Sequence, residues 1–390
     1  MREVQTLVSI RMPRKKPLIL PAAALVLLAC SSAPERARVE SQPAAPAAST
    51  ASTASTAPAA PAAPTAPAAP ATTTAAAPPA PSPADPALEA ELARIAEASG
   101  GTLGAAILHI ENGATAAHNG EQRFPMQSVF KFPIGVQILK RVDAGELRLD
   151  DKLKFRREDL RGAHSPVAER FPNGGELPIK ELLRVMVAES DNTACDLLLN
   201  IAGGPAAVTR MAANHGLDAI VVNRGEGHLI LDFHGIPDAP GRLQRDVANK
   251  LVRELSPKAR DEAIQRYLSD PRDTATPLQM ARLLALLQRG ELLRPDSTAL
   301  LLQIMTDTQT GPNRLRKGIP EGTPLAHKTG TSATYDGKIA VANDVGIITL
   351  PNGRGHVVVA AFVKAANKGT DAAEAAIAAT ARAAFERWSR

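Results

Sequence analysis

From residue 43 to about residue 86 the chain is almost entirely Ala, Pro, Thr and Ser, with neither charge patterning nor large apolar side chains. Such a stretch buries too little apolar surface to offset the entropy of ordering it, so it cannot form a core. Its proline density favours a semi-extended tether. Residues 31–86 are read as that tether, and whatever folds is expected in residues 87–390. In a chain of 390 residues, this leaves enough for one large core, or for two lobes sharing an interface.

Ahead of the tether, Arg11, Arg14, Lys15 and Lys16 form a basic region, and residues 18–29 an apolar run of signal-peptide length. The run ends Leu27-Leu28-Ala29-Cys30-Ser31. This resembles a bacterial lipobox, which implies export to the periplasm, a signal peptide over residues 1–30 and lipid on Cys30. Ser31, rather than aspartate, implies sorting to the outer membrane. The alternative is an ordinary signal peptide that contains a cysteine. A tether fits the first reading, because a domain held off a membrane needs a spacer. Lipidated Cys30 is then the one expected contact with a membrane. Cys195 is the other of two cysteines. No disulfide and no cysteine metal site are expected, and Cys195 reads as a small buried helix residue. The net charge of +5 and pI of about 9.3 are a mild excess, and aromatics make up only 3%. That leaves little to stack on bases and argues against nucleic-acid binding.

Apolar spacing predicts a helix over 85–98, with Leu88, Leu92 and Ile95 on one face and Asp85 as its cap. A strand follows over 102–111, then helices over 128–142, 179–189, 192–201, 206–215 and 277–289. Strands over 339–350 and 356–364 flank the hairpin turn Pro351-Asn352-Gly353, and an amphipathic helix spans 371–388. Strand, many helices, strands, helix is the order of an α+β fold. It consists of an antiparallel sheet with terminal helices against it and an all-helical lobe inserted between.

Ser128 and Lys131, three apart on the predicted helix, share one face. An ammonium beside a hydroxyl can lose its proton and act as base, or position and polarise the hydroxyl. Pro133 and Gly135 break the rules for a helix interior, as functional or tightly packed sites do. Ser190-Asp191-Asn192 follows the apolar stretch 182–187; taken alone it is first of all a helix N-cap. Lys328-Thr329-Gly330-Thr331 leads toward the C-terminal strands. A lysine and a hydroxyl on a strand facing a cleft can bind a carboxylate, and the glycine lets a substrate backbone lie close. His327 precedes Lys328, and His228 and His234 lie in a long loop, so the histidines show no zinc pattern. Neither a metal nor an organic cofactor is expected.

In this order the three motifs are those of class A β-lactamases and penicillin-binding proteins. The chain resembles class A β-lactamases well beyond them, over roughly residues 88–390. Phe124-Pro125-Met126-Gln127, His164-Ser165-Pro166-Val167, Gly203-Gly204-Pro205 and Arg272-Asp273-Thr274-Ala275-Thr276-Pro277 all stand where that family has similar segments. The family carries an Arg-x-Glu whose glutamate activates the deacylating water; Arg224-Gly225-Glu226 stands there. The proline usual after the glutamate is Gly227 here, and the asparagine four residues on is Ile230. The arginine's ion-pair partner is Asp273, with 48 residues between the two. This is far longer than the family's loop, and it holds a predicted helix over 245–255. The arginine that the family places on the strand after the lysine-threonine-glycine strand falls on Val345. Gly311-Pro312-Asn313-Arg314 offers Arg314 instead, as in a divergent branch with a similar Thr331-Ser332 and Asn343-Asp344 region.

The resemblance implies a monomeric enzyme that opens a β-lactam through an acyl-enzyme on Ser128. The proton goes to Lys131, or through water to Glu226. Backbone N–H groups of Ser128 and Thr331 form the oxyanion hole, and Ser190, beside Lys328, protonates the leaving nitrogen. Asn192 bonds the acyl side chain, Thr329 and Arg314 hold the carboxylate beside Gly330, and Glu226 activates water, with Asp232 as the next acid in the loop. Two other functions stay open. One is a D,D-peptidase acting on peptidoglycan stem peptides, which needs no Glu226. The other is a β-lactam-binding sensor or inactive envelope lipoprotein that acylates without turnover.

Overall fold

Asp85 opens the first helix. Its carboxylate accepts the Leu88 N–H at 3.2 Å, Pro86 pre-sets the first turn, and α1 (Pro86–Ala98) buries Leu88, Leu92 and Ile95 as the spacing predicts. The computed structural model describes residues 84–236 and 245–390, which fall in the unit Ala76–Arg390. Residues 1–83, with the lipobox and nearly all of the tether, lie outside the described residues, as do 237–244.

After α1 come β1 (Thr102–His109) and β2 (Thr115–His118), and late in the chain β3 (Leu325–Thr331), β4 (Lys338–Thr349) and β5 (His356–Ala366). They pair in the order β2-β1-β5-β4-β3, antiparallel throughout, and the two-residue strand Thr334–Tyr335 adds to β4. The tight turn between β4 and β5 is closed by Asn352 at φ +57°, a left-handed conformation that asparagine tolerates.

Between β2 and β3 runs the helical lobe. A 3₁₀ turn, Gln127–Phe130, continues into α2 (Lys131–Asp143), followed by α3 (Ile179–Ala188), α4 (Asn192–Ile201), α5 (Pro205–Ala213), α6 (Glu226–Phe233), α7 (Arg245–Glu254), α8 (Pro257–Ser269), α9 (Pro277–Gln288) and α10 (Pro295–Thr306). After β5 comes α11 (Thr370–Trp388). This is the α+β architecture the sequence predicts. The helix expected over 245–255 is α7; α6 and α8 are additions within the same long segment.

Alternation along β1 splits the apolar residues between two cores. Leu103, Ala105 and Ile107 pack with α1 and α11 on one face, and Ala106 joins the lobe's core on the other. The 3₁₀ turn also explains Pro133. Because α2 starts only at Lys131, Pro133 falls in its first turn, where a missing N–H leaves no intrahelical bond unmade. Its presence there marks a helix start, not a strained interior.

Candidate active site

The 3₁₀ turn ahead of α2 places Ser128 one turn before Lys131, whose Nζ lies 3.0 Å from Ser128 Oγ. Lys131 is fully buried. Ser190 O at 2.7 Å, Asn192 Oδ1 at 2.6 Å and Glu226 Oε1 at 2.9 Å surround its Nζ. Each of these can only accept, so each proton of an ammonium has an acceptor. Asn192 Nδ2 donates to Ala163 O at 2.9 Å, which turns Oδ1 to the lysine; among the described residues its other N–H has no partner, and Asn192 lines the cleft. Ser128 Oγ itself lies 3.3 Å from Glu226 Oε1.

Ser190 is not the helix cap. Asp191 caps α4, its Oδ1 accepting the Ala194 N–H at 2.7 Å. Ser190 sits just before, at φ +63°, and its Oγ accepts from Lys328 Nζ at 2.9 Å. Burial, and next the charge of Lys131, hold the Lys328 ammonium well below the ordinary lysine range, with Asp344 and Glu226 pulling the other way. Cys195, on α4 behind these groups, is fully buried, and burial pushes its thiol up and keeps it inert.

Across the cleft, β3 brings Lys328, Thr329, Gly330 and Thr331. Gly330 is required by the protein itself: a Cβ there would stand 2.4 Å from Met126 O. The segment before Ser128 thus makes its own close backbone approach to Gly330. Thr329 Oγ1 shares a hydrogen bond with Thr310 Oγ1 at 2.6 Å. On β4, Val345 pairs with Lys328 and Ala342 with Thr331, both apolar and buried, so β4 brings no guanidinium to this end. Arg314 lies beneath the cleft floor. Its Nε donates to Glu374 at 3.0 Å and its Nη1 to Gly330 O at 3.1 Å and Asn343 O at 2.9 Å. Among the described residues Nη2 has no hydrogen-bond partner, and Arg314 Cδ is 3.2 Å from the position a Cβ would take on Gly311, which lines the cleft.

Glu226 is held by backbone anchoring. It begins α6, and Asp196 on α4 accepts its N–H at 2.6 Å and that of Gly227 at 3.1 Å. The anion thereby satisfies two of the orphan donors at a helix start and sits at the favourable end of its dipole. Arg161 Nε at 2.5 Å pairs with the same carboxylate. Arg224 reaches Asp273 at 2.5 Å, as expected from the sequence, and also Asp232 at 2.5 Å and Asp270 at 3.1 Å. Burial works against its charge, but the three carboxylates outweigh it and raise the pKa. Asp232 is committed to Arg224 and does not line the cleft.

A sequence profile of the beta-lactamase enzyme family matches residues 87–388. The chain belongs to that family. It is a class A serine β-lactamase, similar to β-lactamase VEB-1 of Pseudomonas aeruginosa (34% identity over 269 residues, covering 68% of this chain and 78% of that one). It is likewise similar to the extended-spectrum β-lactamase PER-1 of the same organism (33%, 73% and 82%). Among solved structures it resembles a β-lactamase from Chitinophaga pinensis (TM-score 0.65, 32% identity, 77% of this chain and 99% of that one). It also resembles an ancestral class A β-lactamase of Gram-negative bacteria (0.62, 33%, 77% and 99%).

Ser128, Ser190 and Glu226 of this β-lactamase open onto one cleft of about 300 Å³. The long segment after Glu226 builds its far wall from Leu229, Ile230, Phe233 and His234. Tyr335 bridges to that wall, its hydroxyl sharing a hydrogen bond with His234 Nδ1 at 2.7 Å. Burial and then the charge of Arg260 push His234 down to about 4, so at neutral pH its ring is uncharged. Sequence reasoning did not single out Asp196, Tyr335 or the Phe233 and His234 wall. The signal for Asp196 was its place one helical turn after Asn192 on the face that carries the second motif.

Proposed function

We propose that this β-lactamase works by two-step acyl transfer on Ser128. The carrying observation is that one hydroxyl, Ser128 Oγ, lies within reach of both Lys131 Nζ and Glu226 Oε1, at 3.0 and 3.3 Å. Because Lys131 Nζ donates to Ser128 Oγ, the serine's own proton points to Glu226. Ser128 Oγ attacks the lactam carbonyl and its proton passes to Glu226, directly or through a water, while Lys131 stabilises the developing negative charge. Backbone N–H groups of Ser128 and Thr331 receive the oxyanion. The ring C–N bond breaks, and the nitrogen takes a proton from Ser190, which Lys328 supports. Ser190 recovers its proton from Glu226 by way of Lys131, whose Nζ lies 3.4 Å from Ser190 Oγ and 2.9 Å from Glu226 Oε1, so Glu226 is again a carboxylate. Glu226 then takes a proton from the water that attacks the ester and passes it to Ser128 Oγ as the ester C–O bond breaks.

Asn192 offers its free N–H to the acyl side chain, and Thr329 and Lys328 hold the substrate carboxylate. Arg314 Nη2 adds positive charge beneath them. A D,D-peptidase or a non-hydrolysing sensor needs no carboxylate at Glu226, so the Ser128–Glu226 contact favours turnover. The substrate class is penicillin- and cephalosporin-type antibiotics. The enzyme is monomeric and anchored by lipid on Cys30 to the outer membrane, facing the periplasm, with residues 31–86 as spacer.

A slow β-lactam added to the protein should increase the mass of the Ser128 peptide by one drug. Label on another serine, or Ser128→Ala turning over nitrocefin like wild type, contradicts the reading. For the anchor, Cys30→Ala should move the protein from the membrane fraction to the soluble periplasm; wild type already soluble contradicts that part alone.

A further inference from the structure

The segment between Arg224 and Asp273 does more than wall the cleft. From α8, Tyr267 reaches the residue just before the nucleophile: Gln127 Nε2 donates to the Tyr267 hydroxyl at 2.9 Å. Both residues are buried, Tyr267 at 4% and Gln127 at 7% exposure. Burial pushes the phenol up, so it stays neutral across the working range. Its ring is braced edge-on against Phe233 of α6, centroids 5.1 Å apart.

Gln127 has φ +47°, a region that a residue with a Cβ enters only at a cost and keeps only when its surroundings enforce it. The conformation matters because the peptide plane after Gln127 carries the Ser128 N–H, so the torsions at Gln127 decide where that N–H points. The neighbouring residues are tied down elsewhere. Met126 N–H donates to Asp273 O at 2.9 Å, and Asn343 Nδ2 donates to Pro125 O and Met126 O at 2.9 and 3.0 Å. Among the described residues, the bond that holds the Gln127 side chain is the one to Tyr267.

We propose that Tyr267 is a positioning residue for the oxyanion hole: through Gln127 it holds the turn that aims the Ser128 N–H into the cleft. The long segment then links the two halves of the chemistry, with Glu226 at the start of α6 and the Ser128 turn at the end of the Tyr267 bond. This rests on the reading of Ser128 as nucleophile.

The test compares wild type, Tyr267→Phe, Gln127→Leu and the double variant. Phenylalanine keeps the ring against Phe233 and removes only the hydroxyl. Acylation and deacylation both pass through the oxyanion hole. Tyr267→Phe should slow each by about tenfold in rapid-mixing measurements with nitrocefin, while affinity for the first non-covalent complex stays within about twofold. Amide hydrogen exchange over residues 126–130 should quicken in the variant. In the Gln127→Leu background the further change to Phe should cost less than about twofold, because the bond is already gone. Unchanged rates and exchange in Tyr267→Phe overturn the proposal, as does a full tenfold loss that persists in the Gln127→Leu background. A wild type that forms no acyl-enzyme sinks the nucleophile reading instead, and the exchange comparison then still decides whether Tyr267 holds the turn.

Discussion

Gly225 offers a clean way to test how Glu226 is held. Its backbone, at φ −85° and ψ 172°, is one that alanine adopts freely, so Gly225→Ala adds no conformational strain. What it adds is a Cβ 2.5 Å from Asp196 Oδ1 and 3.1 Å from Asp196 Cγ. The carboxylate cannot step aside without loss, because Glu226 N–H, Gly227 N–H and Arg161 Nε all hold it. Charge-assisted hydrogen bonds are each worth about 1.5–3 kcal/mol, and a displaced carboxylate forfeits at least one, so the variant should lose about 2–4 kcal/mol. For a domain of this size that is a drop in Tm of about 5–10 °C. With α6 no longer anchored, Glu226 drifts from Ser128, and deacylation should slow by about 10²-fold or more. Differential scanning calorimetry and the lifetime of the acyl-enzyme by mass spectrometry read the two effects. A Gly225→Ala protein with wild-type Tm and wild-type deacylation refutes the idea that Asp196 anchors Glu226.

Arg314→Ala should lower kcat/KM by about 10- to 100-fold and cost stability as well, since Glu374 and the carbonyls of Gly330 and Asn343 lose their donor; an unchanged kcat/KM contradicts any help from the Arg314 charge to the carboxylate grip of Lys328 and Thr329. The His234 pKa, near 4 in the fold against 6.5 for a free imidazole, makes its contribution to stability full above about pH 6.5 and progressively lost as pH falls toward about 4. Wild type should therefore lose more Tm between pH 6.5 and 4 than His234→Asn, which can still hydrogen-bond Tyr335 but does not titrate; equal losses contradict the assignment.

Features that rest on local chemistry were legible in the sequence. Leu88, Leu92 and Ile95 announce α1, Asp85 its cap, and the three motifs the cleft, since each is a short pattern whose meaning is fixed within a turn or two of chain. The Arg224–Asp273 pair was readable from its motif despite the long segment between. Pro133 and Gly330 stand out in the sequence, and the structure adds a reason for each: one lies buried in the first turn of α2, and the other passes the protein's own Met126 carbonyl. What stayed hidden depends on distant partners. The start of α6 is stabilised by Asp196, 30 positions away, so nothing beside Glu226 reads as a cap; Gly225 has no side chain to offer. The Gln127–Tyr267 bond joins residues 140 positions apart, and a left-handed glutamine carries no sequence mark.

We propose that Glu226 empties the acyl-enzyme on Ser128. General-base assistance to water is worth about 10²–10⁴-fold, and glutamine keeps the shape of Glu226 while removing its basicity. Glu226→Gln should be mixed with nitrocefin or benzylpenicillin and its intact mass followed over time. The variant should lose turnover and accumulate protein carrying one drug adduct on Ser128, while wild type shows free enzyme once substrate is consumed. Wild-type turnover in Glu226→Gln, with no adduct at any time, would contradict that role for Glu226.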